Sequence, residues 1–111
     1  MKDLHDAIQT LIRDLEAVAL EIDVLGAPMR AHQRQTIELQ LNSLRVADRE
    51  LQQGVVSRRV WSLGEATVPV VRAMLNAAAK PKVGLSEEVV ANAKRSVDGL
   101  RRELHRFAEG R

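Results

Sequence analysis

The chain has 111 residues and a mass of 12.4 kDa, which corresponds to a single domain. Hydrophobic residues make up 45% of the chain and charged residues 29%, so it carries enough apolar material to fold around a core. Cysteine is absent, which excludes a disulfide scaffold, a cysteine nucleophile and thiolate ligands for zinc or iron–sulfur clusters.

The cellular environment is predicted from the same composition. No apolar run is long enough to span a membrane, and acidic residues occupy the N-terminal segment where a signal peptide would place its apolar stretch. We therefore expect a soluble, cytoplasmic protein without a membrane partner. The net charge is only +2, but it is unevenly distributed: residues 1–25 contain two basic and six acidic side chains, whereas residues 54–84 contain five basic and one acidic.

The first predicted helix covers about residues 2–25. Its apolar residues follow one another at alternating spacings of four and three, the heptad pattern by which a helix buries one stripe; they are Leu4, Ile8, Leu11, Leu15, Val18, Ile22 and Leu25. Gly26 and Pro28 separate this helix from the next one, and Pro28 suits the first turn of a new helix.

The second predicted helix covers about residues 28–53. Four apolar residues at helical spacing predict its buried stripe, namely Ile37, Leu41, Leu44 and Leu51. Asp48 interrupts this stripe, either as a polar core position or as a point where the stripe turns toward solvent. Leu39 and Val46 lie on the opposite face and are predicted to form a contact site for a partner.

The third predicted helix covers about residues 55–80 and carries two apolar stripes. One is a heptad seam, Val56, Val60, Leu63, Thr67, Val70, Met74 and Ala77, and beside it lies a second stripe, Trp61, Val68, Val71 and Leu75. Together they cover more than half of the circumference, so we expect either the most buried helix or a surface for another subunit. Ser62 and Glu65 are spaced as a capping box, which offers a later start near Ser62, and Pro69 is expected to bend the helix.

The fourth predicted helix covers about residues 86–108, with Ser86 as its N-cap and Glu87 and Glu88 in its first turn. Its apolar stripe is Val90, Ala93, Val97, Leu100, Leu104 and Phe107, and three arginines share another face: Arg95, Arg102 and Arg106. Four helices of similar length with short joints predict one all-α domain, an antiparallel up-down-up-down four-helix bundle. Homodimerisation could complete or extend its core.

The functional prediction is a non-enzymatic interaction module. The three histidines, His5, His32 and His105, lack the spacing of metal ligands, and the chain has no phosphate-binding loop and no nucleophile motif. No catalytic residue, metal or cofactor is therefore predicted. We expect the protein to bind a second copy of itself or another helical protein through the third helix, with this predicted interface: Trp61, Val68, Val71, Leu75, and as a lesser site Leu39 and Val46.

The alternative prediction is a nucleic-acid-binding protein. Residues 46–63 match about half of a helix-turn-helix template, in which Gly54 is the turn glycine and Arg58 and Arg59 would reach the DNA. A helical subunit of a nucleoprotein assembly is a second route, because arginines along a helix can neutralise phosphates. The predicted nucleic-acid contacts are Arg58, Arg59, Arg72, Arg95, Arg102 and Arg106.

Overall fold

A computed structural model of the protein describes residues 2–25, 30–53, 58–78 and 85–109. Within these ranges the chain forms four helices and no strand: α1 (Lys2–Leu25), α2 (Arg30–Gln52), α3 (Arg58–Ala78) and α4 (Glu87–Glu109). The all-α prediction is confirmed, and each described helix lies within its predicted range to within one residue. Predictions that concern Pro28, Gly54 or Val56, or the side chains of Leu25, His32 and Phe107, fall outside the described residues.

The four helices pack as a ring, in which α1 contacts α2 and α4, and α3 contacts the same two helices. The bundle measures 43 × 20 × 18 Å. Helices of more than 20 residues are at least about 30 Å long, so all four lie along the long axis. Asp23, near the end of α1, is 3.0 Å from Arg34 of α2, and Asp3, near its start, is 3.9 Å from Arg106 of α4. These two ion pairs show that α1 runs antiparallel to both α2 and α4, which confirms the predicted antiparallel bundle.

The predicted stripes of α1, α2 and α4 build most of the core. Six of the seven predicted positions of α1 are buried, because the heptad spacing keeps them on one side of the helix: Leu4, Ile8, Leu11, Leu15, Val18 and Ile22. The opposing helices contribute Ile37, Leu41, Leu44, Val90, Ala93, Val97, Leu100 and Leu104. Leu51 is half-buried against this cluster.

The core face of α3 differs from the predicted seam. Val70, a predicted seam residue, is 39% exposed, whereas Val71 and Leu75 of the second stripe are fully buried. Residues at a strict seven-residue spacing drift by about 20° per repeat around a straight α-helix. As a result Val60 and Thr67, from the first half of the seam, and Val71 and Leu75, from the second half of the other stripe, face the same side of α3. The buried seam residue Thr67 satisfies its hydroxyl by donating to the Leu63 carbonyl oxygen at 2.8 Å.

The start of α3 also corrects a prediction. The helix begins at Arg58, and Ser62 is an exposed residue inside it, so Ser62 does not cap the helix. Pro69 lies inside α3 at another exposed position. Because proline has no N–H, the Glu65 carbonyl oxygen one turn earlier receives no helical hydrogen bond from it.

The polar interruption of the α2 stripe is matched by a polar residue of α1. The Asp48 side chain is 15% exposed and accepts a hydrogen bond of 3.0 Å from Gln52 Nε2. His5 Nε2 approaches Asp48 Oδ1 to 3.0 Å without the alignment of a hydrogen bond. Asp48 therefore lies at the half-buried edge of the core, next to the His5 imidazole.

Gly64 sets the distance between α3 and α4. It is a buried helical residue, and a Cβ atom added there would lie 2.8 Å from Leu104 Cδ1 and 2.9 Å from Leu104 Cδ2. Contacts below 3.0 Å require the neighbour to move, but Leu104 is itself only 1% exposed. Glycine at this position therefore lets the two helices pack closely.

We expect Gly64→Ala to destabilise the bundle by about 1 kcal/mol, because overpacking costs about 1–3 kcal/mol and the gain in helix propensity returns about 1 kcal/mol. Gly99→Ala is the matched control. Its new Cβ would meet only Arg102 Nη2, at 3.9 Å, so we expect it to stabilise the protein by about 1 kcal/mol. Urea unfolding followed by circular dichroism measures both. Equal stabilisation by the two substitutions would show that Gly64 has no packing role.

Candidate interaction surfaces

The stripe predicted to form the interface lies in the core of the single chain. Val68 is 7% exposed, Val71 and Leu75 are fully buried, and Trp61 is half-buried against the same cluster. A partner could reach these three aliphatic side chains only by opening the bundle. The structure thus places these three residues in the core and not at the surface where they were predicted, and Val70 is among the exposed residues of α3.

An ion pair marks the groove between α2 and α3. Arg59 Nη1 lies 3.5 Å from Glu50 Oε1, which fixes the register of the two antiparallel helices. Residues four, seven and eleven positions before Glu50 share its side of α2, and residues at the same distances after Arg59 share its side of α3. Counting residues away from this ion pair places the following at similar heights along the groove: Leu39 and Val70, Ser43 and Ala66, and Val46 and Leu63.

We call these six residues the α2/α3 face. None of them is charged, although 29% of the chain is charged. Leu39 is 57% exposed, Val70 is 39% exposed and Ala66 is also exposed, whereas the other three are half-buried. The face includes Leu39 and Val46, which were predicted as the secondary contact site. It also includes Val70, which the heptad pattern had assigned to the buried seam.

A second pair of exposed apolar residues lies on α1. Leu20 is 66% exposed and Val24 is 77% exposed, one helical turn apart on the side opposite the core. Acidic residues surround this pair in the sequence, namely Glu16, Glu21 and Asp23. The pair forms a small apolar spot in an acidic setting, and single exposed apolar side chains of this kind are common in monomeric proteins.

The groove between α1 and α4 has mixed charge. It encloses about 580 Å³, and its charged lining residues are Arg13, Arg95, Arg102, Asp3, Asp6, Asp14 and Glu103. The Ser96 hydroxyl contacts Asp14 across the groove and also lies 3.0 Å from the Asn92 carbonyl oxygen. The Ser96 contact joins α1 to α4. The groove has three arginines and four carboxylates, so it has no strong preference for an anion or a cation.

The groove between α3 and α4 is strongly basic. It encloses about 650 Å³ and is lined by Arg72, Asp98, Arg101, Arg102, His105 and Arg106. We call it the arginine groove. Four arginines face one lining carboxylate, and three of them (Arg72, Arg102 and Arg106) were predicted nucleic-acid contacts. Arg101 and His105 were missed, because only the packing of α4 against α3 shows that they line the same groove.

Arg58 and Arg59 are placed apart from that groove. Both are exposed at the start of α3, and Arg59 pairs with Glu50. The predicted helix-turn-helix requires its two helices to cross steeply, but α2 and α3 lie side by side along a bundle only 20 Å wide. The packing of α2 and α3 therefore differs from that of a helix-turn-helix.

The ion pairs of Arg34 with Asp23 and Glu38 have a structural role. The pKa of the Arg34 guanidinium is raised, chiefly by the hydrogen bond of 3.0 Å that its Nε donates to Asp23 and further by the charges of Asp23 and Glu38. This cluster joins α1 to α2. In the described ranges no three histidine or acidic side chains come together as ligands for a metal ion.

Comparisons with protein-family models, with curated proteins and with solved structures find no match to this chain. None of the described helices combines the length and apolar character needed to cross a membrane. The functional argument therefore rests on the surfaces of the bundle itself.

Proposed function

We propose that the protein is a helical-bundle interaction module that binds a second copy of itself through the α2/α3 face. The observation that supports this proposal is an uncharged strip on the outer surface of two neighbouring helices, with Leu39 and Val70 at its exposed edge. Charged residues are depleted at the centres of protein interfaces, because their desolvation is rarely repaid there. The third helix thus remains the predicted interface helix, with a different side facing the partner.

Self-association suits this face better than any other side of the bundle. In a two-fold symmetric dimer each patch meets its own copy, so a charged patch would meet like charge. The α2/α3 face avoids that repulsion. The face extends over about 10 Å of each helix, because seven positions separate Leu39 from Val46 and Leu63 from Val70. It would form the uncharged centre of the interface, and a stable interface of ~800 Å² per subunit would also include the residues around it.

The small residues of the face favour helix-on-helix contact. Ala66 and Ser43 lie at its centre, and short side chains let the helices of two subunits approach closely. Leu39 and Val70 then supply apolar area at the edge, where each would contribute roughly 1.5 kcal/mol on full burial. The resulting assembly would contain eight helices with α2 and α3 of both subunits at its centre.

Replacing Leu39 and Val70 together by serine should weaken the dimer about hundredfold. Their side chains are 57% and 39% exposed, so the burial lost is worth about 1.5 kcal/mol per subunit, or about 3 kcal/mol for the dimer. The matched control is Leu20→Ser with Val24→Ser, which removes an apolar pair of α1 that is even more exposed, at 66% and 77%. Sedimentation velocity from about 1 to 200 µM measures the dimer fraction, a range that covers a micromolar Kd.

The proposal requires a dimeric native protein at high concentration, an undisturbed dimer in the α1 control variant and a monomeric α2/α3 variant with unchanged helical content. A native protein that stays monomeric at about 200 µM would reject self-association. Equal weakening by both double variants would reject the α2/α3 face as the specific surface.

A further inference from the structure

We infer that the arginine groove binds the phosphate backbone of duplex nucleic acid, independently of base sequence. The groove lies between α3 and α4, on a different pair of helices from the face proposed for self-association. This inference stands apart from the proposed function, since neither surface uses residues of the other.

The arginine groove has an excess of positive charge. Four of its lining side chains are arginines, and the carboxylates next to them offset this charge only in part. Arg72 Nε is 3.9 Å from Asp98, and Arg106 Nη1 is 3.4 Å from Glu103 and 3.9 Å from Asp3. Among the described residues no ion pair involves Arg101 or Arg102, so these two guanidinium groups have no carboxylate partner there. Clustered cations of this kind create a positive local potential that concentrates anions.

The chemistry of arginine identifies phosphate as the matching group. Its planar guanidinium presents several N–H donors in a fork that fits two oxygens of one phosphate, which makes it a stronger phosphate ligand than a point charge. Arg101 and Arg102 are both exposed, so their donors are available to a ligand. Among the described side chains that line the groove there is no Phe, Tyr or Trp, whereas four are arginines, so the phosphate backbone is the favoured partner.

The length of the groove indicates an extended ligand. Arg72 lies at the height of its ion-pair partner Asp98, and from there to Arg106 α4 rises by about 12 Å. One strand of duplex DNA places a charge about every 3.4 Å along its axis. The arginines therefore span about three successive phosphates. Contacts that neutralise three phosphates should give a logarithmic salt slope near −3, or an affinity loss of about fortyfold between 50 and 200 mM salt.

The test is binding of the full chain to a fluorescent 20-base-pair duplex of random sequence, measured by anisotropy at several salt concentrations. In the variant Arg101→Gln with Arg102→Gln we expect the slope to fall to about −1, so that the same salt change costs only about fourfold. The matched control, Arg45→Gln with Arg49→Gln, removes the same charge from exposed positions of α2 and should keep the native slope.

Three outcomes would overturn the inference. One is no binding of the native protein at 50 mM salt, and another is an equal loss of slope in both double variants, which would indicate net charge alone. The third is preference for vesicles containing phosphatidylserine over the duplex, lost on substitution of Arg101 and Arg102, which would assign the groove to a membrane surface. Circular dichroism of each variant verifies that the bundle remains folded.

Discussion

Leu75→Ala should destabilise the protein by about 3 kcal/mol and lower its Tm by about 10 °C. Leu75 is fully buried between the helices, and removing three carbon atoms from such a site costs both their burial and a cavity that neighbouring side chains refill only in part. The substitution also separates two interpretations of α3. A residue that serves only an interface could be truncated with little loss of monomer stability, whereas a core residue could not.

The matched control is Leu20→Ala, which deletes the same atoms from a side chain that is 66% exposed. Its cost should remain below about 0.5 kcal/mol, as for most surface substitutions. Urea unfolding at low protein concentration yields both values for the monomer. Similar stabilities for the two variants would mean that Leu75 is not part of the core and that the stripe of Trp61, Val68, Val71 and Leu75 is free to bind a partner after all.

Pro69→Ala should stabilise the protein by about 2 kcal/mol. Proline inside a helix costs about 3 kcal/mol relative to alanine, because it removes a hydrogen bond and crowds the preceding turn. Part of this gain is lost, since proline also restricts the unfolded chain by about 1 kcal/mol. Pro69 is exposed, so its removal sacrifices no core packing.

A three-member series makes this second test specific. Pro69→Gly should stabilise the protein by about 1 kcal/mol less than Pro69→Ala, because glycine has a lower helix propensity than alanine. Ser62→Ala, at another exposed position of α3, should change the free energy of unfolding by less than about 0.5 kcal/mol. Thermal and urea unfolding measure the order. Loss of stability in Pro69→Ala would show that the proline sets a shape of α3 on which the packing of its neighbours depends.

Local patterns were sufficient to predict α1 and α4. Each has one apolar stripe bounded by polar residues, so only one orientation buries it. In α3 two adjacent stripes compete, and the heptad count assigned Val70 to the core and left Leu75 for a partner. In the structure Leu75 is buried and Val70 is exposed. The side of α3 that is buried depends on where α2 and α4 lie, and a strict seven-residue repeat gradually turns away from that side around the helix.

The two proposed interaction surfaces were harder to predict than the helices. Leu39 and Val46 could be identified on one helix, but their neighbour Val70 is on another, and the ion pair of Glu50 with Arg59 is needed to align them. Arg101 was likewise passed over, because the spacing along α4 alone groups Arg95, Arg102 and Arg106. Each surface belongs to two helices, and a single-helix pattern contains no information about the register between them.

The antiparallel packing of α1 against α4 also determines how the protein can be joined to other molecules. Asp3 and Arg106 lie 3.9 Å apart, so the first turn of α1 and the last turns of α4 share one pole of the bundle. A label or fused domain attached to the first turn of α1 or to the last turns of α4 would start from that same pole. A short linker between the start of α1 and the end of α4 would permit circular permutation, while the four-helix ring keeps its order.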